Sequence, residues 1–168
     1  VAAFPQDLRA EHGFDNRADH LTLSPLLMES FLKLSQTIVE SPDLNPKECR
    51  SWKWLFAPPD QSAGGPAIDT EKTAMRSRLK KLLRRGFRRP VDPETFDRFA
   101  KFAEDQLASG ASFEQMMRTM VGAVLGMPDF LYIYETPDQE SSGFKDQGRQ
   151  RINDFELAAR LAQFFWSS

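Results

Sequence analysis

Apolar residues recur once per helical turn in five stretches of the chain, and polar or breaking residues separate them. The first is Leu27, Phe31, Leu34 and Ile38, entered through Ser24-Pro25, an N-cap followed by a first-turn proline, and closed by Ser41-Pro42. The second is Met75, Leu79, Leu82, Leu83 and Phe87. Pro90 should stop that helix, because its ring clashes with a preceding carbonyl and it has no N–H to donate. Asp92-Pro93 then opens a third helix over Phe96, Phe99, Ala100, Ala103 and Leu107, with Gly110 placed to cap its end. Ser112 with Gln115 forms a capping box. The broad apolar face behind it, Phe113, Met116, Met117, Met120, Val121 and Val124, marks that helix as the centre, flanked by the second and third helices. Pro128 breaks the pattern, and a last helix capped by Asn153 or Asp154 turns Leu157, Ala158, Leu161, Phe164 and Phe165 inward.

Between these stretches the pattern changes. Trp52-Lys53-Trp54-Leu55-Phe56 alternates and reads as a short extended segment. Val1–Leu23, Ala57–Asp69 and Thr136–Arg151 are rich in Gly, Pro or polar residues and read as loops. The expected fold class is all-α, a bundle-like packing of five or six helices with long irregular loops. Three stretches follow: 1–70, an irregular segment with one helix; 71–135, a central helical domain; and 136–168, a loop and the first helix of a following domain.

Charge sharpens this picture at one place. Nine cations fall between Lys72 and Arg89 with no acid among them, although the chain as a whole carries −2. The other residues hold 13 basic against 24 acidic side chains, a net of −11. Like-charged pairs four apart, such as Lys80/Arg84 and Lys81/Arg85, cost an isolated helix about 0.2–0.5 kcal/mol each. Burying an apolar side chain of the stripe returns about 1.5–3 kcal/mol. The helix is therefore expected to be docked, with its cations meeting the acids in excess elsewhere or an anionic partner. Arg88 and Arg89, at the turn, are the ones to be fixed by carboxylates or by carbonyls at a helix end.

Fourteen Phe against two Tyr point to aromatic side chains used for core packing. Cys49 is the sole cysteine, so the chain forms no internal disulfide and carries no Cys-x-x-Cys-His haem attachment. No stretch approaches the roughly 18 apolar residues of a membrane span. The first residue is Val1 and the last stretch is Phe164-Phe165-Trp166-Ser167-Ser168, which leads us to expect that both ends are cuts inside a longer protein. Those three rings would then meet its continuation.

The motifs Gly13-Phe14-Asp15-Asn16 and Leu21-Thr22-Leu23-Ser24-Pro25 resemble the second half of a planctomycete-type domain of unknown function. Phe87-Arg88-Arg89-Pro90-Val91, Ser112-Phe113-Glu114 and Pro128-Asp129-Phe130-Leu131-Tyr132 resemble a second such domain. Glu156-Leu157-Ala158-Ala159-Arg160-Leu161, with the final Phe165-Trp166-Ser167-Ser168, resembles the opening of a third. The order is similar to that of large exported proteins in which these domains accompany c-type cytochrome domains. The resemblance implies a periplasmic or otherwise exported protein, with c-type haem on other segments and none held by this one. It also implies that the partners are other domains of the same polypeptide, cytochrome c domains included. It supplies no reaction and no catalytic residues.

Each candidate for chemistry has a structural reading beside it. Arg84, Arg85, Arg88 and Arg89 are candidates for contact with an anion or a partner, although no exposed aromatics interleave them as nucleic-acid binding would ask. Asp15, Asn16, Trp52 and Trp54 are candidates to line a ligand cleft; an Asx-turn and corner packing are the structural alternatives. Met116, Met117 and Met120 offer thioethers to a haem iron or fill a core. His12 and His20 stand in no metal-binding spacing. The expected function is a non-catalytic helical module of a cytochrome-linked protein that scaffolds or docks haem-bearing segments. The alternatives are part of a redox-assisted enzyme acting on polysaccharide or another polymer, and an anion-binding module using the basic helix. Neither nucleic acid nor a membrane span is expected.

Overall fold

The computed structural model describes residues 25–60, 67–132 and 154–166. Among them the regular elements are seven helices, with no strand: α1 (Pro25–Glu40), α2 (Trp52–Phe56), α3 (Ala67–Gly86), α4 (Pro93–Ala108), α5 (Phe113–Leu125), α6 (Pro128–Leu131) and α7 (Asp154–Trp166). The fold is all-α.

Local chemistry sets the helix ends around the core. Ser112 and Gln115 close the capping box at α5: the Ser112 hydroxyl accepts from the Gln115 N–H at 3.2 Å, and Gln115 Oε1 accepts from the Ser112 N–H at 3.0 Å. At α4 the Asp92 carboxylate accepts from the Thr95 N–H at 2.7 Å. The same helix ends with Gly110 at φ 91°, where the Gly110 N–H reaches the Leu107 carbonyl and the Ala111 N–H the Gln106 carbonyl, both at 3.1 Å. That pairing satisfies two carbonyls left open by the end of the helix.

These caps orient α5 so that Phe113, Met116, Met117, Met120 and Val124 are buried. α5 is the centre of the molecule and packs against α1, α2, α3, α4 and α6. Met75, Met116, Met117 and Met120 are fully buried among Phe56, Leu79, Leu83, Ala100 and Ala103. Their thioethers fill a dry core rather than face an open position.

Four expectations need correction. The segment Trp52–Phe56 is helical, not extended. The Leu55 N–H reaches the Ser51 carbonyl at 3.0 Å, and the Trp52 and Phe56 rings sit 6.4 Å apart on one side of the turn. In five residues, alternation and a four-residue repeat select much the same positions, and packing of Phe56 into the core decides for the helix.

Helix α3 is displaced at both ends from its expected limits. It starts at Ala67, inside the expected loop, and ends at Gly86, well before Pro90. The last turn carries Gly86 against Val124, and Arg88 then takes φ 57°, which turns the chain out of the helix before the proline is reached.

On α1 the expected stripe is not the buried face. Leu34 and Ile38 are 37% and 43% exposed, whereas Ser30, Ser35 and Val39 are buried. The partner surface there is Gly122 of α5 and Gly126 at its C-cap, which lie under Val39, Leu32 and Ser35. Neither glycine has a side chain to hold α1 off, so Val39 and Ser35 reach the surface of the central helix there. Ser30 and Ser35 satisfy their hydroxyls on the Leu26 and Leu32 carbonyls of their own helix at 2.9 and 2.8 Å.

On α7, Leu157, Leu161, Phe164 and Phe165 are exposed rather than turned inward, Phe164 at 81%. The buried residue there is Glu156, whose carboxylate meets Arg160 at 2.8 Å.

Candidate partner-contact site

Six cations of α3 fall into three groups by what they touch. Arg76 alone on the helix meets acids among the described residues, Glu104 at 2.9 Å and Asp97 at 3.8 Å, and lies over the Phe96 ring. A second group is spent on carbonyls and rings. Arg78 donates to the Ala57 and Leu55 carbonyls and stacks on Phe113, 4.9 Å from its centroid. Burial lowers the pKa of its guanidinium from the ordinary value. Arg85 lies 5.4 Å from the Trp54 centroid. The third group is Lys80, Lys81 and Arg84, exposed on the outer side of the helix. No ion pair joins these three, or Arg85, to a carboxylate among the described residues. The carboxylates among the described residues thus do not neutralise this face.

Arg88 and Arg89 act differently from Arg84 and Arg85, although all four were grouped as contact candidates. Arg88 Nη1 donates to the Phe130 carbonyl at 2.9 Å, and Arg89 Nη2 pairs with the Asp129 carboxylate. Both acceptors lie on α6, so the two arginines clamp the short helix to the turn after α3. The left-handed backbone at Arg88 aims the side chains of successive residues apart, one to each acceptor. Beside the clamp is an open cavity of about 260 Å³, lined by Phe87, Val91 and Met127 and by Arg89, Arg98 and Asp129. Two cations there are matched by the carboxylates of Asp92 and Asp129.

Of the cleft candidates, Trp52 and Trp54 lie on α2 and face different surroundings. Trp52 is packed against the core, with its indole N–H buried and without a partner among the described residues, while Trp54 supports Arg85. Asp15, Asn16, His12 and His20 lie outside the described residues. Among the described residues no group of three or more His, Cys, Asp and Glu is arranged to hold a metal ion. None of the described helices is long and apolar enough to cross a membrane.

The sequence reading missed Arg118 on α5. Its guanidinium donates to the Val39 carbonyl at 2.5 Å and the Leu44 carbonyl at 2.7 Å, pairs with Glu114 at 2.8 Å, and covers Phe56. It ties the end of α1 and the following turn to the central helix. The visible signal was a lone arginine one turn after Glu114 beside an otherwise apolar face.

With this geometry in hand, comparison with protein families finds two matches. Residues 1–42 match PSD3, a protein of unknown function (DUF1587), and residues 74–135 match PSD5, a protein of unknown function (DUF1595). α1 lies in the first matched segment, and the last two thirds of α3 with α4, α5 and α6 in the second. No curated protein and no solved structure matches the chain.

Proposed function

We propose that this chain is a non-catalytic helical module that scaffolds or docks other segments of an exported, c-type-cytochrome-linked protein. The observation that carries the reading is how its most engaged cations are used. Arg78, Arg88 and Arg118 are each committed to backbone carbonyls and an aromatic ring that join two elements. Such groups lock a shape, and are not left open toward a reacting centre as acid–base or oxyanion chemistry requires.

Two domains of unknown function in the order PSD3 then PSD5 add support, because this is the order in which the motifs resemble the cytochrome-linked proteins. On this reading the haem belongs to other segments, and the module sets how they sit. The test is a redox titration of the full-length protein with and without residues 1–168. A shift in haem potential or a loss of assembly is expected on deletion. Unchanged potential together with unchanged assembly refutes the reading.

A further inference from the structure

The geometry points to the outer face of α3, Lys80, Lys81, Arg84 and Arg85, as a docking surface for a compact acidic protein face. Four cations fall within two turns, about 8 Å of helix axis. Their like-charge repulsion is not relieved by any described carboxylate, so it is available to be relieved by a partner's. Arg85 is already positioned over Trp54, which gives that end of the face a fixed guanidinium plane. The neighbouring Arg88 and Arg89 are excluded from the surface, because Phe130 and Asp129 hold them.

The shape of the charge selects the partner class. Outside Lys72–Arg89 the chain carries −11. A long polyanion such as duplex DNA or a sulfated glycan extends well beyond the roughly 8 Å of the patch and is opposed by the net charge of −2 on the whole chain. A small acidic patch on a folded neighbour meets only the cations. The face also lacks exposed aromatics spaced for base stacking. This inference rests on the docking reading above, but does not depend on haem.

The experiment uses the full chain and a fluorescein-labelled peptide of about ten glutamates, read by fluorescence anisotropy at about 0.02 M and about 0.15 M salt. Saturable binding that weakens at the higher salt is expected. Lys81→Glu with Arg84→Glu should weaken it at least about tenfold, equivalent to about 1.4 kcal/mol. Lys47→Glu with Lys101→Glu changes the net charge equally, away from the face, and should leave binding within about twofold. Circular dichroism and a urea midpoint on each variant show that the fold is retained.

The assignment is overturned by absence of peptide binding, by equal weakening in the two double variants, or by tighter binding of a 20-base-pair duplex or heparin under the same salt. A chain that binds the peptide as described, yet leaves haem potential and assembly unchanged on deletion, keeps this face and loses the cytochrome-linked reading. The reverse result loses only the face.

Discussion

Arg88 grips Phe130 twice: its Nη1 donates to the Phe130 carbonyl at 2.9 Å, and its guanidinium carbon lies 5.6 Å from the centroid of the Phe130 ring. It does so from a backbone at φ 57°, which costs a residue with a Cβ about 1–2 kcal/mol. Arg88→Ala should lose the charged hydrogen bond and keep the strain, destabilising the fold by about 1.5–3 kcal/mol. Arg88→Gly loses the same contacts but relaxes the backbone, and should recover about 0.5–1 kcal/mol relative to alanine. Urea midpoints of the two variants decide this, and a glycine variant no more stable than the alanine variant would remove the backbone argument.

Gly86 and Gly126 both sit where a Cβ would crowd a neighbour, but the neighbours differ. At Gly86 the clash is with Val124 Cγ1 at 2.9 Å, on a stiff β-branched side chain that is 1% exposed. At Gly126 it is with Leu32 Cδ2 at 2.7 Å, the far end of a flexible chain that is 48% exposed. Gly86→Ala should therefore cost about 1–2 kcal/mol, overpacking outweighing the gain in helix propensity. Gly126→Ala should change stability by less than about 0.5 kcal/mol. Thermal unfolding of the pair gives the comparison.

Trp52 carries a buried indole N–H with no partner among the described residues. Leaving a buried donor unpaired costs about 1–3 kcal/mol, which offsets what the larger ring gains by burial. Trp52→Phe is expected to fall within about 0.5 kcal/mol of the parent or above it, whereas Trp52→Ala should lose about 3 kcal/mol or more. A phenylalanine variant as unstable as the alanine one would show that the N–H is satisfied in solution.

Asp92 makes stability depend on acid. The Thr95 N–H it accepts holds its carboxyl below the ordinary value of 3.8. A carboxyl lowered in the folded state stabilises the fold above its unfolded pKa and loses that contribution as pH falls through the folded one. The loss is therefore expected below pH 3.8, with no change at neutral pH. Asp92→Asn keeps a competent N-cap and has no proton to take up, so the difference between parent and variant should vanish in the acid range. Urea midpoints measured on both proteins as pH is lowered test this, and parallel curves would contradict it.

What the amino-acid pattern disclosed was mainly local. Ser112/Gln115, Asp92-Pro93 and Gly110 placed helix ends because a cap is made by residues three or four apart. The burial of Met116, Met117 and Met120 followed from periodicity. Where the outcome depended on a partner surface, the pattern was silent or misleading. The face α1 buries lies against Gly122 and Gly126, eighty or more residues away, where Ser35 is buried and Leu34 is not. The destinations of Arg78 and Arg118 are main-chain carbonyls, which every residue possesses and which leave no mark in a sequence. The turn position of Arg88 and Arg89 marked them as cations to be fixed, but that a carbonyl and a carboxylate of α6 would hold them was not visible in the pattern.

The glycine contact between α1 and α5 also decides what can be taken apart. It and the Arg118 bridge to Val39 join a helix from the first matched segment to the centre of the second. A protease cut between residues 42 and 74 would leave two pieces with complementary halves of one seam. Mixed together, such pieces have a reason to recombine, and a gene fusion that swaps one matched segment for a homologue's must carry the matching half across as well.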